Sequence, residues 1–292
     1  MLHGSVCPVT AVVAATGVTA AVWAASKSES KPTASRFAAV SALVFAAQMM
    51  NFPVQFGTSG HILGGVLASV LLGTPFGILS MSLVLSVQCL LFSDGGLAVL
   101  GTNILNMALL GAGVGGWLAG RLRNHSVPTL ARIGFAAWAS VVLASLACSI
   151  ELAAAGVVPF SKSAPMMLGV HALIGIGEAL LTVLAVAFLP SEEKSARMGT
   201  FIPAAAALVL AMVLSPFASG LPDGLEWVSS NLGFWHEAAP AFAAPLSGYS
   251  FPGLSHEFLS SSLAGAVGVL AVFAFGNILA AVWTSRTAAS RS

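Results

Sequence analysis

Long apolar segments separated by short polar ones follow one another along the 292 residues of the chain. A helix that spans the hydrocarbon of a bilayer needs ~20 apolar residues. The third segment is short for this and is separated from the fourth by Gly73-Thr74-Pro75, so we expect it to be a half-helix that lines a cavity. The nine predicted segments are 8–25, 36–52, 61–73, 75–93, 101–120, 133–157, 165–189, 201–218 and 261–284.

The composition supports this pattern. Hydrophobic residues make up 57% of the chain and charged residues only 7%, whereas soluble domains contain about 25% charged residues. We therefore predict an all-α, polytopic integral membrane protein of the cell (inner) membrane. It has about seven transmembrane helices plus a C-terminal two-helix hairpin with an extracytoplasmic loop. The lipid bilayer is the expected partner, and a net charge of +1 without a basic run indicates no nucleic acid.

The basic residues predict the orientation. If the N-terminus is extracytoplasmic and all nine segments cross in alternation, ten of the eleven Lys and Arg residues fall on the inner side, as the positive-inside rule expects. Only Lys162 falls outside. The outer side then holds the N-terminus, the 53–61 turn, the 93–103 loop and a long loop at 219–260.

The polar stretch PSEEKSARMGT divides the chain. Residues 1–190 are predicted to form a membrane domain, and 191–200 a cytoplasmic linker. Residues 201–292 are predicted to form a smaller two-helix domain around the long loop.

His61 begins an apolar segment directly after a Gly/Thr/Ser-rich turn. Taken alone, it is most simply a histidine satisfied by a backbone carbonyl at a helix entrance. However, ionisable groups at membrane depth are costly and usually face a cavity. The topology also brings the Met1 amine and His3 to the same side. An amine with two imidazoles suits Ni(II), Co(II) or Cu(II), with square-planar geometry favouring Ni(II) or Cu(II).

A second polar group surrounds the 93–103 loop and consists of Gln88, Asp94, Asn103 and Asn106. A capped turn between two helices would explain these residues. Asn103 and Asn106 are three positions apart and are therefore expected on one helix face. They are also candidates to orient a metal-binding loop by hydrogen bonding.

A third group lies inside the predicted helices. His171 and Glu178 are seven residues apart, hence on one face, and Glu151 is a second carboxylate that would pair with His171. A proton relay is one interpretation. The other, which we favour, is a packing contact in which polar side chains join closely approaching helices.

Three motifs in order resemble one family. They are FAAQMMNFPVQFGTSGHILGG (45–65), VQCLLFSDGGLAVLGTNILNMALLG (87–111) and HALIGIGEALLT (171–182). This pattern is similar to the CbiM/NikM family, the substrate-binding membrane component of energy-coupling-factor cobalt/nickel transporters. The tail, with FASGLPDGLEWV (217–228) and GYSFPGL (248–254), resembles the PDGLE/CbiN-like small component, here fused.

The resemblance implies a metal site and partners. Family members capture Ni²⁺ or Co²⁺ from the outer side with the N-terminal amine, the amide and imidazole of a histidine at position two, and the histidine of the GTSGH motif. That last residue corresponds to His61. Transport then requires a transmembrane coupling subunit and ABC ATPase subunits, and such systems feed cobalamin biosynthesis.

The first residues depart from the family pattern. The family usually begins Met-His, whereas this chain begins Met-Leu-His. An amine, one amide and a position-two imidazole leave the fourth square-planar corner for His61. An amine, two amides and a position-three imidazole fill all four corners and leave His61 an axial place.

We therefore expect a non-enzymatic capture component of an ATP-driven importer, with His61, Met1 and His3 as metal ligands. Asp223 and Glu226 in the PDGLE loop are expected to cap and position that loop, although they are also candidates to pre-concentrate cations. No Walker A stretch is present, so ATP hydrolysis falls to a separate subunit.

The alternative is an ion-coupled secondary transporter or channel that uses His171, Glu178 and Glu151 as a proton path. A third interpretation is a paralogue that has lost metal binding.

Overall fold

The computed structural model describes residues 2, 4–122, 128–189, 196–235 and 242–289. The described helices are α1 (Val6–Lys27), α2 (Ala34–Gln48), α3 (Gly65–Leu72), α4 (Thr74–Phe92), α5 (Leu97–Arg121), α6 (Thr129–Ala154), α7 (Phe160–Phe188), α8 (Arg197–Phe217), α9 (Gly224–Asn231) and α10 (Glu257–Ala289). Two short strands, β1 (Asn51–Pro53) and β2 (Ser59–His61), complete the described fold.

Seven of the described helices are long and apolar enough to cross a membrane, namely α1, α4, α5, α6, α7, α8 and α10. The prediction of a polytopic helical membrane protein is confirmed. The prediction of a full membrane-spanning segment at 36–52 is wrong, whereas the segment at 61–73 is the expected half-helix. These become the 15-residue α2 and the eight-residue α3, which at 1.5 Å per residue are ~22 Å and ~12 Å long against a hydrocarbon core of ~30 Å. The short third segment is a partial helix, as expected.

Helix α2 lies inside the protein. Thirteen of its fifteen residues are buried, and it packs against α8 and α10 from the tail as well as against α4. The contact with α10 is close: a Cβ at Gly276 would lie 2.9 Å from the Ala38 Cα. A helix that is apolar on all sides belongs in such an interior.

The break between α3 and α4 has a local cause. Gly73 has φ +91°, a conformation that L side chains rarely adopt, and it ends α3. Pro75 lies in the first turn of α4, where its missing N–H costs nothing.

Hydrogen bonds identify which loops share one end of the bundle. The Arg36 guanidinium donates to the carbonyls of Gly199 (2.7 Å) and Leu71 (3.4 Å), so the starts of α2 and α8 meet the end of α3. At the opposite end, the Thr10 and Thr102 hydroxyls lie 2.8 Å apart, which brings the start of α1 to α5. We call this second end the hairpin end, because β1 and β2 also lie there.

The predicted turn at 53–61 is a small antiparallel hairpin. Asn51 pairs with His61 in its register, and the Val54 N–H donates to the Thr58 carbonyl at 2.8 Å. The hairpin packs on α7 at two glycines. Gly60 lies directly against the Ile174 side chain, and the Phe52 ring lies directly against Gly177.

Candidate metal site

His61 ends β2 and is half-buried. Its Nδ1 lies 3.4 Å from the carbonyl oxygen of the next residue, Ile62, which is a long contact for a hydrogen bond. This contact involves only Nδ1, so the other ring nitrogen, Nε2, can bind another partner.

The segment that follows His61 is fixed by Glu178. The two carboxylate oxygens accept hydrogen bonds from the backbone N–H groups of Leu63 (2.8 Å) and Gly64 (3.0 Å) at the entrance to α3. Glu178 is fully buried. Both its oxygens thus pair with N–H groups that the start of a helix leaves without partners, and the connection between β2 and α3 is joined to α7.

The tail covers the hairpin from the other side. The Ser219 N–H donates to the Asn51 carbonyl, and the Ser59 N–H donates to the Pro222 carbonyl, both at 2.8 Å. The Ser59 hydroxyl adds a 2.7 Å bond to the Leu221 carbonyl. Residues 219–222 are thereby attached to both strands.

Helix α9 continues from this contact. Asp223 and Glu226 form a capping box, in which each side chain accepts the backbone N–H of the other residue. The expectation that these carboxylates cap and position the PDGLE loop is confirmed. The Trp227 indole donates to the Phe56 carbonyl at 3.0 Å, so α9 also touches the hairpin tip.

Burial raises the pKa of Glu226, and the negative charge of Asp223 raises it further. The charge of Asp94 acts in the same direction to a smaller extent, whereas the backbone hydrogen bond from Asp223 and the charge of His61 lower it. The charges of His61 and Asp94 therefore both act on Glu226 of the PDGLE loop.

The chain start reaches the same helix. Leu2 packs on an apolar cluster of Leu152, Val158 and Phe234, and Leu225 of α9 packs on that cluster too. Met1 and His3 lie outside the described residues. Among those that the structure does describe, no group of three His, Cys, Asp or Glu residues lies close enough to hold a metal ion.

Gln88 and Asp94 contact the tail. The Tyr249 hydroxyl donates to the exposed Asp94 carboxylate at 2.6 Å, and the Tyr249 ring stacks on Phe92 with centroids 4.5 Å apart. Burial raises the pKa of Tyr249 most, and the charge and hydrogen bond of Asp94 raise it further. A side-chain hydrogen bond with Gln88 lowers it. These residues therefore anchor a second point of the tail.

Asn103 and Asn106 have separate partners. Asn103 lies directly against Gly95, whereas the Asn106 amide donates to Glu151 at 2.8 Å in the interior. Residues Ile104–Val114 are π-helical, so the three-residue spacing does not follow the α-helical face that the sequence suggested.

His171 and Glu178 do not bond to each other. The His171 Nδ1 lies 2.8 Å from the Met167 carbonyl, and its ring faces Gly224, where a Cβ would come within 2.8 Å of the His171 Cε1. Glu178 binds the backbone of α3, and Glu151 binds Asn106. Each of these three side chains thus contacts a neighbouring helix or its end, and the three do not form a chain of hydrogen bonds with one another. This fits the interpretation that they join closely packed helices.

Sequence reasoning missed the direct contacts between the tail and the hairpin, because they join residues more than 160 positions apart. The charge-derived topology gave the coarser signal that both loops lie on one side.

Comparisons with known proteins identify both parts of the chain. The family model described as "Cobalt uptake substrate-specific transmembrane region" (CbiM) matches residues 1–196, and that of the PDGLE domain matches residues 199–285. The putative fused nickel transport protein NikMN of Archaeoglobus fulgidus is 34% identical over 256 residues, with 84% of this chain and 85% of the relative covered.

A second relative and a solved structure are also similar to this chain. The fused nickel transport protein NikMN of Rhodobacter capsulatus is 31% identical over 240 residues, covering 72% of this chain and 68% of the relative. A crystal structure of a transition metal transporter is 27% identical with a TM-score of 0.59 and covers 68% of this chain and 94% of that one. The chain therefore belongs to the CbiM family of metal transport components and carries a PDGLE domain at its C-terminal end.

Proposed function

We propose that this protein is the substrate-capture component of an ATP-driven energy-coupling-factor importer and binds Ni²⁺ or Co²⁺ from the outer face. The proposed ligands are His61, the Met1 amine and His3. The ion is the transported substrate. Residues 1–190 form the proposed metal-binding domain, 191–200 the cytoplasmic linker and 201–292 the PDGLE/CbiN-like domain.

One observation carries the proposal. Helix α9 touches the hairpin that ends at His61, through Trp227 and Phe56, and shares an apolar cluster with Leu2. A single short helix thus adjoins both the hairpin that ends at His61 and Leu2, the residue between the other two proposed ligands. Nitrogen ligands of this kind suit late first-row divalent ions.

The orientation follows from charge. Lys27, Lys31 and Arg36 precede or begin α2, at the end opposite the hairpin. The positive-inside rule then gives an extracytoplasmic N-terminus and hairpin end. Metal capture at the hairpin end is consequently capture from outside.

Partners are required because the chain contains no Walker A stretch. We propose a transmembrane coupling subunit and ABC ATPase subunits at the cytoplasmic side, and no enzymatic activity in this chain. The relatives named as nickel transport proteins support the choice of substrate.

The ligand assignment is tested with the purified full-length chain titrated with Ni²⁺. His61→Ala is expected to weaken binding and change the visible absorption band, because one nitrogen donor is lost. The exposed His256 supplies the matched control, His256→Ala, which should leave both unchanged. An unchanged square-planar band in His61→Ala would remove His61 from the equatorial ligands and assign the site to the amine and His3.

Energy coupling is tested separately by ⁶³Ni²⁺ uptake into cells that contain or lack the ATPase subunit. Uptake that depends on the ATPase supports the importer. Uptake that persists without any ATPase but stops when the proton gradient is dissipated would support the secondary transporter instead.

A further inference from the structure

Two buried side chains between α5 and α6 each have one oxygen that no residue in the described part of the chain hydrogen-bonds. Glu151 is 7% exposed and Asn106 is 8% exposed. The Asn106 Nδ2 donates to the Glu151 Oε2 at 2.8 Å. The remaining oxygens, Glu151 Oε1 and Asn106 Oδ1, have no hydrogen-bond partner among the described residues.

Both of these oxygens, Glu151 Oε1 and Asn106 Oδ1, are hydrogen-bond acceptors. They belong to two side chains that are already hydrogen-bonded to each other. A carboxylate accepts only, and an amide oxygen accepts only, so the ionised pair leaves two buried acceptors unsatisfied, each at a cost of about 1–3 kcal/mol. One proton on Oε1 changes this, because the resulting O–H donates to Oδ1. The acid and the amide then form two parallel hydrogen bonds and satisfy all four polar atoms.

We propose that Glu151 binds a proton and that the neutral carboxylic acid–amide pair with Asn106 joins α5 to α6 inside the membrane. Glu178 provides the contrast. Both of its oxygens accept backbone N–H groups, so its carboxylate form is satisfied without a proton. The two membrane glutamates are thus expected in opposite protonation states.

The surroundings do not supply another partner within the described part of the chain. On α6 the nearest titratable group is Cys148, one turn earlier, and Asp223 at the start of α9 also faces that thiol. His171 on α7 faces Asp223. The facing group on α5 is the uncharged Asn106. Among the residues that the structure describes, no cation is therefore positioned to neutralise Glu151 in place of a proton.

The same substitution at the two glutamates gives opposite expectations. Glu151→Gln replaces the acid O–H by an amide N–H and preserves both hydrogen bonds of the pair. It should therefore fold normally. Glu178→Gln instead keeps one acceptor and turns its amide N–H toward the other of the two backbone N–H donors, so it should lower the melting temperature.

The experiment is infrared spectroscopy of the full-length protein in lipid at neutral pH, combined with thermal unfolding from neutral to alkaline pH. A protonated-carboxyl C=O band should be present in the wild type, absent in Glu151→Gln and retained in Glu178→Gln. The wild-type melting temperature should fall as pH rises, because the pair loses its proton. The decrease that is due to this deprotonation should be absent in Glu151→Gln.

Asn106→Leu keeps Glu151 but removes its amide partner, so the band should move to the frequency of a carboxyl without a hydrogen bond. Equal carboxyl bands in the wild type and Glu151→Gln, an unshifted band in Asn106→Leu, or a Glu151→Gln variant that does not fold would each overturn the proposal.

Discussion

The Glu178 carboxylate accepts the backbone N–H of Gly64 at 3.0 Å across the interface between α7 and the start of α3. This hydrogen bond connects a membrane-embedded helix to a backbone position three residues after His61. Through this hydrogen bond, the position of α7 in the bundle influences the position of His61, the proposed metal ligand.

The first prediction concerns that contact. Glu178→Gln retains one acceptor oxygen but loses the charge and the second acceptor, leaving a buried N–H unpaired at a cost of about 1–3 kcal/mol. We expect lower thermal stability and weaker Ni²⁺ binding, measured by thermal unfolding and metal titration. Glu257→Gln, at an exposed position at the start of α10, is the control. Unchanged stability in Glu178→Gln would show that the contact contributes little.

A second prediction concerns the close approach of α9 to α7. In Gly224→Ala the new Cβ would lie 2.8 Å from the His171 Cε1 and 2.9 Å from the Ile174 Cδ1. Overpacking of this kind typically costs about 1–3 kcal/mol, so the PDGLE loop should separate from the hairpin and become more susceptible to limited proteolysis. Gly220→Ala is the matched control, since its Cβ would meet nothing within 4 Å. Equal cleavage of the two variants would contradict this account.

A third prediction uses the single tyrosine of the chain. Because Tyr249 is the only tyrosine, the ultraviolet absorbance of phenolate reports on this residue alone. Its pKa is raised well above 10 by burial and by Asp94. The stability that the protonated phenol contributes is therefore present below about pH 10 and is lost as pH rises through the higher folded-state value.

The phenolate band should consequently appear late in an alkaline titration and coincide with loss of the tail contact. Asp94→Asn should lower the midpoint only partly, because burial is the larger cause. Tyr249→Phe keeps the stacking on Phe92 but should abolish this part of the pH dependence. A phenolate midpoint at the ordinary value in the wild type would show that Tyr249 is solvated.

A fourth prediction separates packing at the chain start from ligation. Leu2→Ala removes apolar contact with the cluster of Leu152, Val158 and Phe234 without altering a proposed ligand side chain. Loss of about two to three buried methylene or methyl groups, at ~0.8 kcal/mol each, should weaken Ni²⁺ binding while the absorption band keeps its shape. Val12→Ala, at a 67% exposed position, is the control. A changed band in Leu2→Ala would indicate that residue 2 sets the coordination geometry itself.

Much of the fold could be predicted from hydrophobic length alone. Within the part of the chain that the structure describes, seven helices are long and apolar enough to span a membrane, and both properties can be read from the sequence. Helix α2 could not be distinguished in the same way, because an apolar run does not reveal whether lipid or protein surrounds it. Its burial depends on α8 and α10, which lie far along the chain.

The site was predictable to a similar degree. The position of His61 after a turn and the capping box of Asp223 and Glu226 are local features that the sequence displays. The bonds from Glu178 to the α3 backbone and from Trp227 to Phe56 are not local. The separation of Asn103 from Asn106 was hidden as well, since the π-helical stretch has no obvious sequence marker.

The enclosure of α2 has a consequence for biogenesis. This helix is synthesised early, yet α8 and α10, which cover it, are completed only after about 170 and about 240 further residues, respectively, have been made. Until then a 15-residue apolar helix, too short to match the bilayer, must be shielded by lipid or by the insertion machinery. The late-translated α10 therefore completes the enclosure of the early-translated α2, so the two helices cannot reach their final packing in the order in which they are made.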